Sequence, residues 1–111
     1  MFEFTKEHEM IRAMVREFAD TELGPKALEL DRKGEFPFEL VRKIGALGII
    51  GVASPREYGG SKAGHLPAVI AVEEIARVYP SLAFILEVTQ APLYMLENYG
   101  TPEQKQTWLP P

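Results

Sequence analysis

The 111-residue chain contains no cysteine. That absence excludes disulfides, thiolate metal sites, a cysteine nucleophile and thiol redox chemistry. Histidine is almost as scarce. His8 and His65 fall on different expected elements and neither has a partner at ligand spacing, so both read as surface residues and no metal site is expected. Positive charge is in deficit: twelve Lys and Arg stand against sixteen Asp and Glu, a net charge of -4. The basic footprint that a phosphate backbone requires is missing, and nucleic acid is not an expected partner. No internal repeat is visible, and no segment alternates with period two for long. A membrane span needs ~20 predominantly apolar residues. The richest apolar stretch, Leu82 to Leu96, is interrupted by Glu87, Gln90 and Pro92, and so is expected to be buried in protein. The opening residues, Met1 to Glu7, carry acids where a signal peptide carries a basic and then an apolar run, which makes a cytoplasmic location the expectation.

What is present is an ordinary globular composition, 46% hydrophobic and 25% charged, at a length suited to one domain. Helix signals dominate. Thr5 is placed to cap a helix with Glu7 and Glu9 in its first turn, followed by Ile11, Met14, Val15 and Phe18 at three-and-four spacing. Gly24-Pro25 interrupts it, as a kink or as a fresh start, and Gly34 is a plausible stop. Pro37 stands where a first helical residue would, ahead of Leu40, Val41, Ile44 and Leu47. The apolar, glycine-punctuated stretch from Ile49 to Pro55 reads as a buried extended connector, and Arg56 to Gly64 as a loose turn-rich segment. Further helices are expected from Pro67 to Val78 and from Leu82 to Gly100, where apolar residues leave few positions for water. Thr101-Pro102-Glu103-Gln104 has the form of a capping box opening a last helix toward Trp108. The fold class is therefore all-α: a bundle of five or six helices with one long irregular connection at about residues 48–66. A connection of that length in a small domain tends to be functional or interfacial.

Little in the chain carries chemistry outright. Ser54, Ser61 and Ser81 lack a nucleophile-elbow context, and Tyr58-Gly59-Gly60 with Gly64 lacks the spacing of a phosphate loop and reads as a turn. Glu87 is the most informative single residue, because a carboxylate inside an apolar helix is costly unless paired, hydrated or protonated. It belongs either at the floor of a ligand cavity or on a face that meets water, a basic side chain or another subunit. Glu73 and Glu74 point about 100° apart on a helix and read as a solvated polar edge. Pro92 either bends its helix and frees a carbonyl or marks a boundary.

Taken in order, the segments resemble the amino-terminal domain of the acyl-CoA dehydrogenases. The resemblance rests on Thr5 to Arg12, Val15 to Ala19, Gly34-Glu35-Phe36-Pro37, Leu47-Gly48-Ile49-Ile50-Gly51 and Pro55-Arg56-Glu57-Tyr58-Gly59-Gly60. Val72-Glu73-Glu74-Ile75-Ala76-Arg77 and the closing stretch from Tyr99 to Pro110 complete it. It implies a single helical domain over residues 1–111, a piece of a larger FAD-dependent enzyme that oxidises acyl-CoA thioesters to trans-2-enoyl-CoA. Electrons would pass to an electron-transfer flavoprotein, and the complete enzyme would be a homo-oligomer. The family's catalytic glutamate lies in a carboxy-terminal domain, so no residue here is expected to be catalytic, and the chain alone is expected to be inactive and free of FAD. Ala83, Glu87 and Gln90 are the implied candidates for the acyl-pocket wall. Tyr58, Gly59 and Gly60 are the implied candidates for a domain interface. Two rival readings remain: a free-standing helical interaction module, and the same domain in an acyl-CoA oxidase.

Overall fold

In the computed structural model, residues 3–110 are described. Met1 and Phe2, which open the acidic leader, and Pro111 lie outside them. Thr5 starts the first helix, α1 (Lys6–Phe18), through a reciprocal capping box. Its hydroxyl accepts from the His8 amide at 3.3 Å, while the Thr5 amide donates to His8 Nδ1 at 3.2 Å. His8 thus serves the backbone, satisfying amides that the first helical turn would leave open. At Ala19–Leu23 the helix widens into one π turn, and α2 (Gly24–Lys33) continues from it. Pro25 sits in the first turn of α2, where its missing N–H costs nothing. Of the two alternatives at Gly24-Pro25, a fresh start is the one found, joined to α1 through the π turn. That turn keeps Ala19 and Leu23 buried. Gly34, at φ +64, stops α2 in the left-handed conformation.

Helix α3 (Phe38–Ala46) begins one residue after Pro37, which occupies the cap position and not the first turn. Leu40 and Ile44 are buried, whereas Leu47 is exposed. Residues 47–64 then cross to α4 (His65–Ala76). This crossing is not an extended connector over a loose turn. It folds back on itself: the Ser61 amide donates to Gly51 O at 3.1 Å, Lys62 to Ser54 O at 2.9 Å and Ala63 to Val52 O at 2.9 Å. A short 3-10 turn, Arg56–Tyr58, forms its tip, and Ile49 and Val52 anchor it in the interior.

Helix α4 packs between α1 on one side and α5 (Pro80–Tyr99) on the other, and α6 (Pro102–Trp108) leans on the end of α5. Val15, Phe18, Leu23, Leu40, Ile75 and Leu86 belong to one continuous core. Helix α5 continues past Pro92, which is therefore not a helix boundary. Its inner side, Leu82, Ala83 and Leu86, is buried. Its outer flank is bare: Phe84 is 64% exposed, and Val88, Met95 and Tyr99 are exposed with it. All elements among the described residues are helices, turns or bends.

Glu74 departs from the expected solvated edge. Glu73 faces water, but Glu74 is only 4% exposed. The reason is long-range: α1 brings Arg16 against it in a two-pronged contact, Nε to Oε2 at 2.9 Å and Nη2 to Oε1 at 3.0 Å. Arg77 adds a 3.4 Å contact, and Arg12 lies 3.8 Å away. A buried carboxylate is tolerable when its lone pairs are met by guanidinium donors in this way. The hydrogen bond from Arg16 holds the Glu74 carboxyl below the usual carboxylate range, against the opposing pull of burial.

Candidate functional site

A groove of about 590 Å³ opens between α4 and α5, with the irregular crossing at one edge. Helix α4 lines it with Ala68, Val69 and Val72, and His65 stands at the helix start. Helix α5 contributes Glu87, Gln90, Tyr94 and Glu97, whose spacing of three, four and three places them on one helical face. Ala53 and Ser54 supply the wall from the crossing.

Two contacts fix the walls. The Gln90 amide donates to Ile50 O at 2.8 Å, tying α5 to the crossing 40 residues earlier. The His65 and Tyr94 rings meet edge to face, centroids 5.8 Å apart, linking α4 to α5. Behind α4, Glu74 and its arginines pin the helix to α1, so the groove wall is held from the far side as well. A smaller depression of about 270 Å³ lies between α1 and the crossing, edged by Met10, Met14 and Leu47. Among the described residues no group of His, Cys, Asp and Glu is placed to hold a metal ion, and no helix is long and apolar enough to cross a membrane.

The residues singled out in the sequence fall in three places. Glu87 and Gln90 line the groove, Glu87 exposed and Gln90 half-buried. Ala83 shares their helical face one turn earlier, where the core closes over it; at 3% exposed it does not reach the groove. Tyr58, Gly59 and Gly60 sit at the tip of the crossing, away from the groove lining. Gly59 takes φ +89. At Gly60 an added Cβ would lie 2.1 Å from Ser54 O, so only glycine lets the two limbs of the crossing come together. The groove also draws on His65, Val69, Tyr94 and Glu97, which the sequence reading did not single out. The signal for two of them was available, since stepping three and four residues on from Glu87 reaches Gln90, Tyr94 and Glu97.

The geometry defines a class: an all-helical domain with an open groove between two of its helices. Comparison with known proteins then places it. The acyl-CoA dehydrogenase N-terminal domain model matches residues 5–111. A probable acyl-CoA dehydrogenase of Bacillus subtilis is 42% identical over 114 residues, a match covering 99% of this chain and 29% of that protein. Acryloyl-CoA reductase (NADH) of Anaerotignum propionicum is 41% identical over 109 residues, covering 98% of this chain and 28% of the relative. Among solved structures, butyryl-CoA dehydrogenase of Megasphaera elsdenii superposes with a TM-score of 0.90 at 29% identity, over 98% of this chain and 30% of that one. The chain belongs to the acyl-CoA dehydrogenase family and corresponds to its N-terminal domain. It spans about 29% of the length of the curated relatives it matches.

Proposed function

We propose that this domain forms one wall of the acyl pocket in an FAD-dependent acyl-CoA dehydrogenase, and that residues 1–111 are one domain of that larger enzyme. The substrate class is an acyl-CoA thioester, oxidised to its trans-2-enoyl form, with electrons leaving to an electron-transfer flavoprotein. The observation that carries the reading is the open groove. Ala68, Val69 and Val72 give an apolar bed for a hydrocarbon chain, while the other side lies open to receive a cover. Of the candidate wall residues, Glu87 and Gln90 are in position to face the chain; Ala83 would act only by supporting the helix from within.

The glycine-rich crossing does not by itself fit the pyrophosphate of FAD. A pyrophosphate needs free backbone donors, and the amides from Tyr58 to Ala63 all donate within the crossing. The reading therefore assigns flavin binding, and the base that removes the α proton, to other domains. It gives Tyr58, Gly59 and Gly60 the task of meeting one of them. Assembly of the complete enzyme as a homo-oligomer and residence in the cytoplasm belong to the same proposal. A second reading has one observation in its favour: the likeness to an acryloyl-CoA reductase supports the same pocket wall serving the reverse, reductive direction. The rival idea of a free-standing interaction module calls for a polar exterior, and the outer flank of α5 is instead apolar.

The test has two arms. The isolated chain, mixed with excess FAD and butyryl- or octanoyl-CoA, is expected to retain no flavin and reduce no dye; either activity would overturn the division of labour. Exchanged for the matching domain of the Megasphaera butyryl-CoA dehydrogenase, it is expected to restore a yellow, acyl-CoA-reducible protein. A folded chimera that binds flavin but no acyl-CoA would count against the pocket-wall role.

A further inference from the structure

The two sides of the groove differ in chemistry. Helix α4 offers aliphatic surface, whereas α5 presents Glu87, Gln90, Tyr94 and Glu97 in a row, and neither lysine nor arginine lines the groove. The Gln90 amide is already committed to Ile50 O. Ala91 and Leu93 add apolar surface from α5, and the charged groups it holds out to a ligand are two carboxylates, Glu87 and Glu97. Glu87 stands at the end next to the core, one turn beyond buried Ala83, and Glu97 lies toward the end of α5.

Resting on the reading that the groove seats an acyl chain, we propose that Glu87 is a specificity residue. It selects acyl thioesters whose tail carries a hydrogen-bond donor, such as a hydroxyl, and rejects tails that end in a carboxylate. The methylene stem would lie on Ala68, Val69 and Val72 in either case and would not discriminate. A tail carboxylate would enter a half-enclosed apolar groove that already holds two acidic side chains and is lined by neither lysine nor arginine. Covering the groove lowers the local dielectric and strengthens that repulsion. A tail hydroxyl instead donates to the Glu87 carboxylate, and hydrogen bonds to ionised acceptors are the stronger kind. A plain alkyl tail leaves Glu87 without a partner once water is displaced, which disfavours it relative to the hydroxylated tail.

The experiment uses the flavin-loaded holoenzyme that contains this domain and three thioesters of equal length: hexanoyl-CoA, 6-hydroxyhexanoyl-CoA and adipoyl-CoA. A hydrogen bond to a charged group is worth roughly 10- to 100-fold in affinity, so kcat/KM for the hydroxylated tail is expected to exceed that for adipoyl-CoA by about 100-fold. Glu87→Gln, which keeps the shape and removes the charge, is expected to cut the ratio by about tenfold and to raise kcat/KM for hexanoyl-CoA, because no charge is then left unpaired under the alkyl tail. Equilibrium binding of the three enoyl-CoA products, followed by titration calorimetry, is expected to move in parallel. If hexanoyl-CoA is oxidised but the ratio in the unaltered enzyme is near one, the inference falls, whether or not the variant folds. A ratio unmoved by Glu87→Gln has the same consequence, and in both cases the pocket-wall reading stands. A flavin-loaded enzyme that oxidises none of the three overturns that reading and the inference together.

Discussion

At the scale of single residues, Glu74 carries more of the fold than any other charged group. Its carboxylate is almost fully buried, and three arginines from α1 and the end of α4 converge on it. Removing one member of such a cluster leaves the others imperfectly met, so Glu74→Ala is expected to cost about 2–3 kcal/mol, read as a lower urea midpoint with an unchanged slope. The acid response follows from the direction of its pKa. The folded-state value is lowered by the hydrogen bond from Arg16, so the unfolded chain takes up the proton more readily. The stabilisation is complete above the ordinary carboxylate range, near 4.5, and is lost as pH falls from there through the lowered folded value. Glu22, held low by its 2.8 Å contact with Lys43, acts in the same direction at the surface. Urea midpoints measured from pH 7 down to pH 3 are expected to fall steeply in the parent protein. In Glu74→Ala the fall is shallower, because its largest buried contributor is gone. None of this was legible in the sequence. Glu74 and Arg16 stand 58 positions apart, and adjacent glutamates on a helix look alike until the packing shows which of them faces α1.

At the scale of elements, the legible features were the ones written in local chemistry. Thr5 and Thr101 cap their helices as their spacing requires, Gly34 ends α2, and the long irregular crossing lies where glycine and proline gather. The Thr101 hydroxyl accepts from the Gln104 amide at 3.2 Å, and Thr101→Ala is expected to cost about 1 kcal/mol, concentrated in α6, with faster amide exchange in that helix as the measure. The π turn at Ala19–Leu23 and the internal ladder of the crossing were not legible, since both depend on where distant backbone comes to lie. The groove was half legible. Helical spacing gave the face that carries Glu87 and Gln90, but only the packed structure shows that the core swallows Ala83 and that the groove starts one turn later. Gly60 makes the crossing testable as a unit. Its substitution by alanine would drive a methyl group into Ser54 O, and the ladder from Ser61 to Ala63 would have to separate. Gly60→Ala is expected to cost about 2–3 kcal/mol, well beyond an ordinary surface change. Proteolysis near Arg56 or Lys62 should rise with it.

At the scale of the whole molecule, the bare flank of α5 sets the behaviour of the isolated domain. Phe84, Val88, Ala91 and Met95 recur at spacings of four, three and four, opposite the buried Leu82 and Leu86, and Tyr99 extends the row at 76% exposure. That pattern is the seam by which one helix packs on another, and in water it stands unpaired. Helix α5 has no basic residue, and its charged positions, Glu87 and Glu97, face the groove rather than this flank. Electrostatics therefore does little to keep two such surfaces apart. The isolated chain is expected to associate as its concentration rises from micromolar to millimolar, seen as an increasing weight-average mass in sedimentation equilibrium. Replacing Phe84, Val88 and Met95 together by glutamine should return it to a monomer without unfolding it, because all three are exposed and contribute little to the core. A wild-type chain that stays monomeric throughout that range would mean that the flank needs no cover, and would favour a free-standing module over a wall of a larger enzyme. Association that survives the triple substitution would place the sticky surface elsewhere, with the smaller depression beside Met10 and Met14 as the next site to alter.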